Sequence, residues 1–111
     1  MTSKIRILLA DDHAVVRKGL RFLLEGQEHM EVVGEAADGR EAVRLAEELK
    51  PNVVVMDIGM PQLNGIEACA QIVKRNPQVS VIMLSVHSDE TYLLRALSAG
   101  AKGYLLKDSA E

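Results

Sequence analysis

Short apolar runs return along this chain at a steady beat, beginning near Ile5, Glu31, Val53, Val79 and Gly103, roughly 25 residues apart. That interval holds a strand, a helix and their turns, so the spacing predicts repeated strand-helix units in a parallel sheet. Two runs, Val53-Val54-Val55-Met56 and Val79-Ser80-Val81-Ile82-Met83-Leu84, carry apolar residues on both faces. A parallel sheet covered by helices on both sides requires this pattern. A chain of 111 residues has room for one such core, so residues 1–111 are expected to form a single domain.

The stretches between the runs mark where helices start and stop. Asp38-Gly39 precedes Ala42, Leu45, Ala46 and Leu49, which share one helical face, and Lys50-Pro51 ends it. Asn64 precedes Ile66, Cys69, Ile72 and Val73, and Asn76-Pro77 closes that segment. The first helix is expected from about His13 to Glu25. Ser88 is a candidate cap, with Asp89 and Glu90 suited to the positive end of the helix dipole and Gly100 at the far end. Asp108-Ser109-Ala110-Glu111 reads as the opening of one more helix. The expectation is therefore a longer natural protein whose fifth helix has been cut, leaving several Leu- or Ile-sized side chains bare at ~1.5 to 3 kcal/mol each. Self-association, as dimers or aggregates, is expected to follow.

Composition closes off several functions. No apolar run approaches the ~20 residues of a membrane span, and Met1-Thr2-Ser3-Lys4 lacks a signal-peptide core. A cytoplasmic setting is expected, without membrane contact. With 16 acidic and 13 basic residues the formal charge is −3, and no Lys/Arg cluster offers a footprint for nucleic acid. The single cysteine, Cys69, excludes an internal disulfide and cysteine-built metal sites, and reads as a small core residue.

Successive right-handed crossovers bring the carboxyl ends of parallel strands to one edge, where open α/β sheets bind ligands. Asp11, Asp12, Asp57, Ser85 and Lys107 all fall at such ends. Two carboxylates ~5 Å apart repel by ~3 kcal/mol at an effective dielectric near 20, so three gathered without an arginine call for a cation. Oxygen ligands favour a hard ion such as Mg²⁺, which binds through one or two carboxylates plus a phosphate. A lysine and a hydroxyl facing the cation complete a cradle for a phosphoryl group.

These residues resemble the receiver domain of two-component response regulators. The matching segments are Ala10-Asp11-Asp12-His13, Asp57-Ile58-Gly59-Met60-Pro61 with Gly65, Leu84-Ser85-Val86-His87 and Gly103-Tyr104-Leu105-Leu106-Lys107-Asp108. Asp12-His13, Leu63-Asn64-Gly65-Ile66-Glu67 and Gly100-Ala101-Lys102-Gly103-Tyr104 are most similar to the NarL/FixJ subfamily, whose members usually carry a LuxR-type helix-turn-helix DNA-binding domain after the receiver. The resemblance implies a flavodoxin-like, doubly wound α/β fold with five parallel strands in the order 2-1-3-4-5. It also implies a signalling module, not a turnover enzyme, that catalyses its own phosphorylation and dephosphorylation and controls transcription through a DNA-binding domain absent here.

Carried over residue by residue, the resemblance makes Asp57 the acceptor of a phosphoryl group from a sensor histidine kinase. Asp12 would bind Mg²⁺ directly, Asp11 directly or through water, Asp57 through its carboxylate and Gly59 through its backbone carbonyl. Lys107 and Ser85 would hold the phosphoryl oxygens, and Ser85 and Tyr104 would switch a surface on the fourth helix and fifth strand. Val86, bulkier than the small residue common at that place, is expected to narrow access to Asp57. His87, with Gly59, is placed to tune hydrolysis. Asp108 stands where many receivers have proline, and a cis peptide before a non-proline residue costs ~2.5 to 4 kcal/mol, so none is assumed.

Plainer readings stand beside these. Asp12 alone could be a helix cap, Ser85 a turn residue and Tyr104 an edge-strand aromatic. His13 and His87 read as solvated loop or first-turn residues, since no serine or cysteine nucleophile accompanies them. A phosphohydrolase of the haloacid-dehalogenase type would want a second acid two residues after the nucleophile, where this chain has Gly59. A module that keeps the fold without taking phosphate is opposed by the intact Asp12, Asp57, Ser85 and Lys107. Nucleotide binding fails for want of a glycine-rich phosphate loop.

Overall fold

The computed structural model describes residues 4–60, 62–86 and 90–107. Strands β1 (Ile5–Ala10), β2 (Met30–Ala36), β3 (Val53–Asp57), β4 (Ser80–Ser85) and β5 (Gly103–Leu106) alternate with helices α1 (Ala14–Glu25), α2 (Gly39–Leu49), α3 (Gly65–Arg75) and α4 (Glu90–Ser98). All strand pairs are parallel, and the sheet order is β2-β1-β3-β4-β5. The expected doubly wound topology is therefore present, with four helices among the described residues.

Alternation along the strands sorts side chains into two cores. Leu8, Ala10, Val54, Met56, Val81 and Met83 face a large cluster that takes Ala42, Val43 and Ala46 from α2, Ile66, Cys69 and Ile72 from α3, and Ala96 from α4. Ile7, Leu9 and Val32 face the other way, under Leu20 and Leu24 of α1. Burying a side chain of this size contributes ~1.5 to 3 kcal/mol, so the larger cluster dominates the favourable side of folding. Cys69 lies fully inside it, and burial pushes its thiol up to about 11, as befits a core residue.

The helix ends follow the sequence signals. Asp38 accepts from the Glu41 amide at 2.8 Å and so caps α2, while Glu41 Oε1 accepts from the amide of Ala37, the residue before the cap, at 3.1 Å. Asn64 accepts from the Glu67 amide at 3.0 Å at the head of α3. Lys50 ends α2 in the left-handed region, and Gly100, at φ +103°, turns the chain after α4. The proposed Ser88 cap, and the Asp108 to Glu111 segment with the Lys107-Asp108 peptide, lie outside the described residues.

Candidate functional site

Register brings the ends of four elements together. Ala10 pairs with Met56, Asp57 with Leu84, and Ser85 with Leu106. The next residues along, Asp11 and Lys107, therefore flank Asp57 and Ser85 at the carboxyl edge. Among the described residues the buried polar side chains are Asp11, Asp57 and Ser85, 2%, 4% and 1% exposed. All three lie in this one place, which packing alone does not demand.

The backbone around them is fixed by hydrogen bonds and close approach. The Asp11 amide donates to Ala36 O at 3.0 Å and the Ile58 amide to Leu84 O at 3.1 Å, so both loops are tied to neighbouring strands. Gly65 begins α3 hard against the end of β3. Its amide donates to Ile58 O at 2.8 Å, and a Cβ there would stand 2.2 Å from the Asp57 carbonyl oxygen. Only glycine allows that approach.

Lys107 Nζ lies 3.3 Å from Asp57 Oδ1 and 3.3 Å from Asp11 Oδ2, bridging the two buried acids rather than serving Asp57 alone. Burial raises the Asp57 pKa above the usual carboxylate value, the Asp11 charge adds to this, and Lys107 and the Gly59 amide oppose it without prevailing. For Lys107 burial works downward but is outweighed by the two carboxylates, so its pKa is raised. Asp11 Oδ2 is buried and makes no hydrogen bond of good geometry, its contact with Lys107 being an ion pair only. Because Lys107 is shared between Asp11 and Asp57, the acids keep a net negative charge that a further cation would offset.

Asp11, Asp12, His13 and Asp57 offer ligand atoms that all lie within 4.8 Å of one another. This donor set fits a divalent cation such as Mg²⁺, with acids supplying the hard oxygens. His13 is an addition to the site residues expected from sequence. Its Nδ1 lies 3.1 Å from Asp11 Oδ1, 3.3 Å from Asp12 Oδ1 and 4.0 Å from Asp57 Oδ2. The histidine precedes α1 without a side-chain cap bond, because its ring turns to the acids instead. An arginine is also close: Arg17 Nη1 donates to the Asp11 backbone carbonyl at 2.6 Å, leaving the acid side chains to the site.

Three further expected residues, Gly59, Val86 and Tyr104, are among the described residues. Gly59 lies in the turn after β3, and a Cβ there would meet nothing within 4 Å, so the turn leaves open space beside Asp57. Val86 follows Ser85 with 65% of its surface exposed. Tyr104 sits half-buried on the edge strand β5, packed against the larger core. His87 lies outside the described residues.

Comparison with known proteins points one way. Residues 7–111 match the model for the response regulator receiver domain. The chain is 50% identical over 105 residues to the uncharacterized transcriptional regulatory protein YhcZ of Bacillus subtilis, covering 95% of this chain and 49% of that protein. It is 44% identical over 106 residues to the transcriptional regulatory protein DegU of Brevibacillus brevis, covering 96% and 45%. The chain thus spans about half the length of the curated relatives it matches. A LuxR-family two-component response regulator from Aurantimonas superposes with a TM-score of 0.91 at 42% identity, over 98% of this chain and 79% of that one.

Proposed function

Because the chain belongs to the response regulator receiver domain family, in its NarL/FixJ branch, we propose that it takes a phosphoryl group on Asp57 from a sensor histidine kinase and passes the change to a transcriptional output. The observation that carries this reading is the gathering of Asp11, Asp57 and Ser85, buried together beside Lys107.

In the proposed step an Asp57 carboxylate oxygen attacks the phosphorus of a phosphohistidine. A new P–O bond forms, the P–N bond breaks, and the imidazole leaves with the electron pair and takes up a proton. Lys107 and the Gly59 amide favour the ionised, nucleophilic form of Asp57, against burial and the Asp11 charge, which hold its pKa raised; a cation beside the acids would add to the side of ionisation. Lys107 then exchanges one partner for another, keeping Asp11 while the phosphoryl oxygens replace the Asp57 carboxylate. Ser85, at the end of β4, supplies a hydroxyl to the same oxygens. Asp11, Asp12 and Asp57 would hold Mg²⁺, which supplies charge neutralisation for the transferred group. The protein is in this sense a catalyst of its own modification and its reversal, with no separate substrate to turn over.

Phosphorylation adds charge at a buried edge, and the side free to respond is β4, α4 and β5, where Ser85 and Tyr104 lie. DNA would be reached through a further domain, since this segment has a formal charge of −3. Among the described residues no helix is long and apolar enough to cross a membrane. Exposed Val15, Phe22 and Leu23 along α1 support pairing of two copies, and a monomer by light scattering would count against that pairing.

Incubation with Mg²⁺ and a small phosphodonor should add one phosphoryl group, seen by mass spectrometry and abolished in Asp57→Asn. Turnover of many phosphoesters would favour a hydrolase instead. Absence of any adduct despite Mg²⁺ binding would favour a silent interaction module.

A further inference from the structure

The imidazole of His13 stands among the acids of the cation site, although nothing in the phosphoryl chemistry above requires a nitrogen there. Its backbone amide donates to Asp11 Oδ1 at 2.8 Å, which holds the residue over the acids at the mouth of β1. The ring is 64% exposed, so water and ions reach it, yet its Nδ1 points inward at three carboxylates belonging to two different strand ends.

The spacing resembles that of ligands around one ion. An octahedral ion about 2.1 Å from each donor sets neighbouring donors about 3.0 Å apart and opposite donors about 4.2 Å apart. His13 Nδ1 is 3.1 and 3.3 Å from Asp11 Oδ1 and Asp12 Oδ1, near the first value, and 4.0 Å from Asp57 Oδ2, near the second. Asp11 is 2% exposed and its Oδ2 is met only by the Lys107 ion pair, which Asp57 shares, so the acids keep an excess of negative charge for a cation beside Oδ1.

We propose that His13 is a nitrogen ligand of this cation site and biases it toward borderline transition-metal ions, of which Ni²⁺ is the clearest probe, relative to Mg²⁺. The physical reason is the ligand's softness. Imidazole gains most with ions late in the first transition row, whereas Mg²⁺ prefers oxygen and keeps its waters. A water can take the place of the imidazole around Mg²⁺ at little cost, but not around Ni²⁺. The proposal rests on the receiver reading for the location of the site, and goes beyond it in naming which residue sets metal preference.

The test is titration calorimetry of the whole chain with Ni²⁺ and, separately, with Mg²⁺, for the wild type, His13→Gln and Asp12→Asn. No side-chain cap bond is lost with His13, so the glutamine variant keeps the start of α1. Ni²⁺ affinity is expected to fall about tenfold or more in His13→Gln while Mg²⁺ affinity changes less than about threefold. Equal changes for the two ions, or none, would overturn the proposal. So would Ni²⁺ binding of wild-type strength in Asp12→Asn, which would place the ion on His29 or His87 instead. Mg²⁺-dependent phosphorylation of the wild type reports separately on the underlying reading. If it occurs while the Ni²⁺ ratio is unmoved, only the role of His13 fails.

Discussion

Arg17 Nη1 donates to the backbone carbonyl of Asp11 at 2.6 Å, so a helix residue holds the loop that carries two of the site's acids. The same guanidinium meets Glu35 at the end of β2 through Nε at 2.7 Å, and Arg21 reaches the other Glu35 oxygen at 2.5 Å. Arg21, with help from Arg17, keeps the Glu35 carboxyl below its usual range, so the anchor stays charged at neutral pH. Replacing Arg17 by Met should cost about 1 to 3 kcal/mol of stability and weaken Mg²⁺ binding by roughly tenfold, the loop being freed. Chemical denaturation and calorimetry would check both. Glu35→Gln combined with Arg17→Met should cost less than the two changes summed, since both act on one network.

Asp57→Asn should stabilise the protein in metal-free buffer at pH 7. Burial first, then the Asp11 charge, holds the folded pKa of Asp57 above its unfolded value. Ionising such an acid costs stability, and the cost grows as pH rises from the ordinary carboxylate value through the raised one. Removing the charge should recover about 1 kcal/mol, several degrees in Tm. The gain should fade on acidification and be gone by about pH 3, where the wild-type carboxyl is protonated in both states. Melting curves across pH that show a constant or negative difference would contradict this.

Val86→Ala should speed phosphorylation by a small donor by about threefold, a barrier change under 1 kcal/mol. The valine follows buried Ser85 at the end of β4 and is 65% exposed. A rate equal to that of the wild type would show that access is set elsewhere.

Gly65→Ala should be among the most damaging single-methyl changes in the chain. The added carbon would stand 2.2 Å from the Asp57 carbonyl oxygen and 2.8 Å from Ile58 Cα, and backbone cannot swing aside as a side chain can. About 3 kcal/mol or more should be lost in urea denaturation. Gly59→Ala, where a Cβ meets open space, serves as the control and should change stability little.

Much of this architecture is legible in the residues because its signals are local. Asp38, Asn64 and Gly100 do in the structure what their types and positions announce, and the apolar runs become the five strands within a residue of where they begin. The acids and the lysine are readable because each ends a strand, and parallel topology does the rest. What the residues do not announce depends on distance in sequence. Arg17, Arg21 and Glu35 meet only after β2 lies down beside β1, and an arginine on a helix surface gives no warning of a carbonyl to receive it. The register shift between Ile7 and Leu8, which leaves Val33 without a partner and sets Gly34 under Leu49, has no local signal beyond the glycine. From sequence His13 is expected to be a solvated residue, because neighbouring types say nothing about where a ring turns. It is indeed mostly exposed, but its inward nitrogen belongs to the site.

Gly65 also bears on which way a signal would travel if Asp57 takes a phosphoryl group as proposed. With α3 pressed against the Asp57 carbonyl and bonded to Ile58, the main chain beneath the acceptor is a fixed bearing. A charge added above it finds no give on that flank. On the phosphorylation reading proposed above, displacement would pass more readily across β4 toward β5, the sheet's outer strand, and a missing methyl group would help set that direction.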